Sequence, residues 1–269
     1  MKRILFIFTL ISLLSFGCGG GSGDSGSAGL SNNACGDIGL GTRIINGTEC
    51  GPIADSPVVR VSALNGFGEI IGFCSGSAVT QNDIVTAAHC FPRATSAVAV
   101  TSGNSLDSGS SVIIPFARVK IHPSYAPLGT ISNTAEFNDV AIVPLTRNLN
   151  VRTIPVLASR DVVAGEIASI FGYGQDEAGD FNPDTLLSGQ MRIASVTNDH
   201  IQANFNGEGS NTCSGDSGGP MTVGSALVGI TSTGINVDCS AGDESLFTNV
   251  QGSNILDFLS SNIPDLPLI

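Results

Sequence analysis

The sequence predicts an all-β protein closed by a single C-terminal helix, and two observations carry that expectation. Beyond residue 43 the chain consists mostly of short runs rich in β-branched and apolar residues, separated by clusters of Gly, Asn, Asp and Pro. That is the pattern of strands joined by turns. The convincing helical spacing is terminal: Val250, Ile255, Phe258 and Leu259 fall near one face between Asn249 and Ser261. With 269 residues, 42% of them apolar, the chain can build one large or two small domains around a sizeable core.

In chain order, the first residues stand outside this pattern. Lys2 and Arg3 precede an apolar run from Ile4 to about Phe16, and "GCGGGSGDSGSAG" follows. The run is too short for a permanent membrane span, and the Gly/Ser stretch cannot bury enough surface to fold. Residues 1–17 are therefore expected to be a signal peptide, which places the rest of the chain outside the cytoplasm. Cys18 ends "LLSFGC", which resembles a bacterial lipoprotein signal whose cysteine is lipidated, with Ser15 where that pattern usually has Leu. The expected location is thus secreted, or anchored to the bacterial outer membrane through a lipid on Cys18.

Seven cysteines are an odd number, and setting Cys18 aside leaves Cys35, Cys50, Cys74, Cys90, Cys213 and Cys239. An even set in an oxidising compartment, without any C-x-x-C spacing, points to disulfides and not to zinc. The strand runs follow as "VVRVSAL", "SAVAV", "SVIIPFARVKI", "DVAIVPL" and "EIASIFGYG". They fit one all-β unit or two packed barrels equally well, because the sequence contains no internal repeat. A net charge of −12 with only 11 Lys plus Arg excludes nucleic acid as a partner, since phosphate binding needs clustered cations. No metal cluster is evident, and no cofactor is expected; a calcium loop between about Thr101 and Val112 lacks good support.

Chemistry concentrates in "NTCSGDSGGP", residues 211–220. Ser217 becomes a nucleophile only if a base takes its proton, and the usual base is an imidazole held by a buried carboxylate. "GDSGG" also satisfies the G-x-S-x-G elbow, but that arrangement puts the histidine after the serine, and no histidine follows Ser217. Of the three histidines, His122 in "KIHPSY" looks like a loop residue and His200 in "NDHIQ" looks exposed. His89 in "IVTAAHC" is delivered by an apolar strand beside small residues and a cysteine. Asp139, opening "DVAIVPL", is a candidate carboxylate, although Asp83 and Asp161 share its strand-start character.

"RIINGTEC" (43–50), "VTAAHC" (85–90), "NDVAIVPL" (138–145), "GYG" (172–174), "CSGDSGGP" (213–220) and "FTNV" (247–250) occur in the order and approximate spacing of the chymotrypsin/trypsin-like serine endopeptidases. The resemblance covers residues 43 to about 260. It implies a trypsin-like fold of two six-stranded antiparallel β-barrels, at about 44–150 and 151–250, then a helix at about 250–261, within a peptidase domain spanning 44–269. It implies Ser217 as nucleophile, His89 as general base and Asp139 as the residue orienting it, with the backbone N–H groups of Gly215 and Ser217 as the oxyanion hole. Residues 18–43 become a flexible linker and propeptide. An activating protease would cut between Arg43 and Ile44, and the new α-amino group would pair with Asp216.

The same likeness implies Cys74–Cys90 and Cys213–Cys239. Cys35–Cys50 is what remains, since the family's usual partners of Cys50 are absent and Ser188 stands near where one is expected. Asn211 matches the base of the primary specificity pocket, Gly234 and Ser245 match its walls, and Ser232 matches a residue binding substrate backbone. An amide at 211 leads to the expectation of an uncharged P1 residue, with Asp243 and Glu244 nearby as alternative sources of charge. Thr233 replaces a tryptophan common in the family. The implied partners are protein or peptide substrates of a monomeric enzyme. The rival class, a binding module of the same fold, would show a substituted triad member; none is substituted.

Overall fold

The computed structural model describes residues 34–38, 48–50, 56–103, 111–176, 178–182, 184–236 and 238–269. The signal segment, Cys18, Arg43, Ile44 and most of the calcium-loop stretch lie outside the described residues.

The first sheet contains β2 (Val58–Leu64), β3 (Ile70–Ala78), β4 (Asp83–Thr86), β5 (Ala97–Thr101), β6 (Ser111–Pro115), β7 (Lys120–Ile121) and β8 (Ala141–Pro144). It is antiparallel, in the order β6-β5-β2-β3-β4-β8-β7, and forms a curled half-barrel. Buried along its whole length, β2 explains why "VVRVSAL" reads as a nearly continuous apolar run. The edge strand β6 alternates instead, with Val112 and Ile114 inside and Ser111, Ile113 and Pro115 outside. The single run "SVIIPFARVKI" is divided at Pro115, where a 3-10 turn (Phe116–Arg118) separates β6 from β7.

The second sheet contains β1 (Thr48–Glu49), β9 (Ile167–Gly172), β10 (Leu187–Val196), β11 (His200–Phe205), β12 (Pro220–Val223), β13 (Ala226–Gly234) and β14 (Asp243–Asn249). Six of these close into a barrel, because β9 pairs with both β12 and β10. The two-residue β1 precedes the first sheet in sequence yet pairs with Ser188 and Leu187 of β10. One apolar cluster fills the second barrel, and the other lies on the first sheet and continues to Phe171, Leu227 and Ile230 of the second.

The helix α1 (Ser253–Asn262) leaves the second barrel and packs on the core of the first sheet through Ile255 and Leu259. Full burial of each such side chain stabilises by roughly 1.5–3 kcal/mol. Gly252 offers no capping side chain, and Asn198 Oδ1 accepts the Ser253 N–H at 3.2 Å in its place. At the far end Lys120 Nζ donates to Asn262 O at 2.9 Å. The helix thus straps the two sheets together.

Candidate active site

Strand register brings the first two candidates together. In the β4–β8 ladder Thr86 faces Ala141, so the residues just beyond, His89 on a 3-10 turn (Ala88–Cys90) and Asp139 ahead of β8, emerge at one end. Asn138 adopts φ = 51°, a left-handed conformation that Asn tolerates better than most residues. Fully buried, Asp139 accepts three hydrogen bonds: His89 N–H at 2.9 Å, His89 Nδ1 at 2.7 Å and Ser232 Oγ at 2.6 Å. An ionised carboxylate only accepts, so Nδ1 carries the proton and Nε2 presents its lone pair. The imidazole side chain is 23% exposed.

Charge follows this geometry. Burial pushes the His89 pKa down, but the charge and hydrogen bond of Asp139, and then the charge of Glu136, outweigh it and leave His89 above its usual 6.5. Burial pushes Asp139 up, yet the charge and hydrogen bonds of His89 and the Ser232 hydroxyl bring it below the usual aspartate value.

Ser217 arrives from the other sheet, in the loop before β12. Its carbonyl accepts Ser75 N–H at 2.8 Å, and Ser75 follows Cys74, which is disulfide-bonded to Cys90 beside His89. The next residue, Gly218, lies so close to Thr86 and Ala87 that an added Cβ would come 3.0 Å from Ala87 N. Ser217 is therefore held against the turn that carries the imidazole. Among the described residues Ser217 Oγ makes no hydrogen bond to that ring; such contacts are often long in unliganded sites.

Gly215 has φ = 100°, and a Cβ there would come 2.9 Å from Gly174 Cα and 3.1 Å from Phe181 Cε2. Only glycine fits. Ser75 Oγ fixes this turn, donating to Gly215 O and accepting Tyr173 N–H, both at 2.9 Å. Neither Gly215 N–H nor Ser217 N–H donates to a backbone acceptor among the described residues. Phe73 and Phe181 stack edge to face beside Gly215, with centroids 4.8 Å apart.

Asp216 points inward and is fully buried, accepting Cys213 N–H at 2.8 Å and Gly174 N–H at 2.9 Å. Burial, only partly offset by these two neutral donors, pushes its pKa up to about 7. "GYG" is explained by this carboxylate, since a Cβ on Gly172 or Gly174 would collide with it.

A cavity of about 160 Å³ opens beside Ser217, lined by Thr231, Ser232, Thr233, Gly234 and Asp243 among others. Asn211 and Ser245 are fully buried behind its wall. The Asn211 amide donates to Cys239 O and Asp243 Oδ2, and its oxygen accepts the Ser245 hydroxyl. The acid in the pocket is Asp243, which also accepts the N–H groups of Ile235, Asn236 and Glu244. Thr231 Oγ1 is buried there without a partner.

All three expected disulfides are present: Cys35–Cys50, Cys74–Cys90 and Cys213–Cys239. Ser188 Oγ lies 2.9 Å from Cys35 Sγ. Cys74, His89 and Cys90 sit close enough to suggest a metal site, but the disulfide consumes both sulfurs.

Of the other histidines, His122 lies in a loop as expected, whereas His200 is not exposed. His122 is buried, with its ring 4.9 Å from that of Phe258. His200 is half-buried, with Nε2 2.6 Å from Glu136 O. Sequence reasoning also missed Ser75, Glu136 and the Phe73–Phe181 pair, because nothing local in the chain distinguishes them.

Residues 44–259 match the family model described as Trypsin. The chain belongs to the trypsin family of serine endopeptidases. It is 32% identical over 181 residues to trypsin beta of Drosophila erecta, covering 60% of this chain and 68% of the relative. It is 31% identical over 196 residues to brachyurin of Leptuca pugilator, covering 66% and 83%. In fold, the trypsin-family domain resembles a solved HL collagenase, with TM-score 0.65, 21% identity, and coverage of 81% of this chain and 98% of that one. Members of the trypsin family use a His-Asp-Ser triad, and their three disulfides here suit an oxidising location outside the cytoplasm.

Proposed function

We propose that this trypsin-family chain is an exported endopeptidase in which Ser217 is the nucleophile, His89 the general base and acid, and Asp139 the residue that fixes the imidazole tautomer. The supporting observation is the buried Asp139 carboxylate taking both the backbone N–H and Nδ1 of His89. Ser217 Oγ attacks the scissile carbonyl as His89 Nε2 takes its proton. The oxyanion is stabilised by the N–H groups of Gly215 and Ser217. His89 then protonates the leaving amine, and water reverses the sequence to release the acyl group. A labelled fluorophosphonate should modify Ser217 in the activated protein and fail to modify a His89→Ala variant. Equal labelling of both would refute this assignment.

The chain is made as a zymogen cut between Arg43 and Ile44 by a protease that prefers basic residues. Asp216 supports this: a buried carboxylate with only neutral donors favours a cation, and the new α-amino group of Ile44 is one. The Cys35–Cys50 bridge spans that bond. Ala34, Cys35 and Ile38 are buried, and Asp37 accepts the Ser169 hydroxyl at 2.5 Å. The cut propeptide therefore stays attached, and a lipid on Cys18 keeps the active enzyme at the membrane. Mass spectrometry of the cut protein without reductant should find one disulfide-linked species; a freely departing propeptide refutes retention.

The pocket beside Ser217 takes a cationic P1 side chain. The expected amide at Asn211 sits behind the wall, whereas Asp243 brings a negative charge to the lining. A peptide library should show Lys or Arg at P1, and a purely apolar P1 profile would overturn this preference alone.

A further inference from the structure

Glu136 is a buried acid that the triad leaves without a task. It lies three positions before Asp139, in the connection between β7 and β8, and is 7% exposed. Both its ends are pinned. The Tyr125 hydroxyl donates to Oε2 at 2.5 Å, and the Glu136 carbonyl lies 2.6 Å from His200 Nε2 on β11 of the second sheet. One oxygen of Glu136, one of Asp139 and one ring nitrogen of His89 all lie within 4.8 Å of one another.

We propose that Glu136 is a second positioning acid for His89, holding a negative charge beside the imidazole that strengthens it as a base. The inference rests on His89 being the general base. One carboxylate beside an imidazolium gives a neutral pair; two leave a net negative surrounding that favours the protonated ring still further. Proton abstraction from Ser217 gains driving force, and the pH at which the ring is free to act rises.

The ionisable groups facing Glu136 are Tyr125 from its own connection, His89 from the turn after β4, Asp139 ahead of β8 and the His200 ring from β11. Burial, followed by the charge of Asp139, raises the Glu136 pKa; the Tyr125 hydroxyl, the charge of His89 and the Leu128 N–H oppose this, and the balance is upward. His89 in turn feels Glu136 as the weakest of its upward influences. Each group therefore shifts the protonation of the other. As pH falls, Glu136 loses its charge and its support of the imidazole fades.

The test is histidine NMR on activated protein carrying Ser217→Ala, with the His89 signal identified by its loss in a His89→Asn variant. Glu136→Gln keeps an acceptor for Tyr125 but removes the charge. It should lower the His89 titration midpoint by about half a pH unit or more, and Glu136→Asp should restore most of it. In protein with Ser217 intact, the acid limb of kcat/KM should move by the same amount. Tyr125→Phe is the second variant: without the hydroxyl, Glu136 ionises at higher pH, and the His89 midpoint should fall, as it does in Glu136→Gln. If neither Glu136→Gln nor Tyr125→Phe moves the midpoint in folded protein, the proposal is overturned. A midpoint that moves without the kinetic limb supports the coupling but refutes His89 as the base.

Discussion

At the residue scale, the site depends on side chains that hold other side chains in place. Ser75 joins the Gly215 turn to the "GYG" strand end by donating to Gly215 O and accepting Tyr173 N–H. Ser75→Ala leaves a buried N–H unsatisfied, which should cost about 1–3 kcal/mol in stability and lower kcat more than it changes KM; denaturant titration and steady-state kinetics check both. Asp139→Asn should reduce kcat by roughly 10⁴, because an amide can present its N–H to Nδ1 and select the wrong tautomer. His89 carries a pKa above 6.5, so activity should fall as pH drops through a value above that figure. The sign for stability is separate. A raised His89 contributes stability below pH 6.5 that is lost as pH rises through its folded value. The lowered Asp139 contributes stability above about 3.8 that is lost as pH falls through its folded value.

At the element scale, α1 carries the connection between the sheets. Its buried face is two residues, Ile255 and Leu259, and Leu259→Ala should destabilise the protein by about 2–5 kcal/mol through lost transfer energy and a cavity. Asn198→Ala removes the side chain that accepts the Ser253 N–H and should cost about 1 kcal/mol. Thermal unfolding of the two variants, with the fluorophosphonate assay alongside, separates the effects. The Asn198 variant should label normally once folded. The terminal helix was legible because Val250, Ile255, Phe258 and Leu259 recur at helical spacing, though its observed start at Ser253 lies a few residues later. The break in "SVIIPFARVKI" was not read, because Pro115 is compatible with the end of an edge strand and the following turn is set by packing on Phe91.

At the scale of the whole molecule, the proposed cleavage would be linked to folding through Asp216. Its pKa of about 7, against an ordinary 3.8, means the uncut fold loses stability as pH rises from about 3.8 to about 7. In the proposed cut form, pairing with the Ile44 ammonium would remove that loss. The Tm difference between cut and uncut Ser217→Ala protein should therefore grow across that interval, as calorimetry at several pH values can measure. A difference independent of pH would show that Asp216 does not receive the new terminus.

The sequence alone determined the strand-rich class, the terminal helix, His89 and Ser217 as the candidate base and nucleophile, and the even set of six cysteines. These follow from local patterns and from short motifs whose spacing survives without any knowledge of the fold. The tertiary structure decided which aspartate meets His89, because the β4–β8 register and not the strand-start pattern distinguishes Asp139 from Asp83 and Asp161. It also decided that Asp243 and not Asn211 faces the pocket, and that Glu136 stands beside the imidazole. The physical reason is common to all three: each depends on which face of a strand or loop a carboxylate occupies after two sheets close against each other, and burial and charge act over a few ångströms of space without regard to separation along the chain.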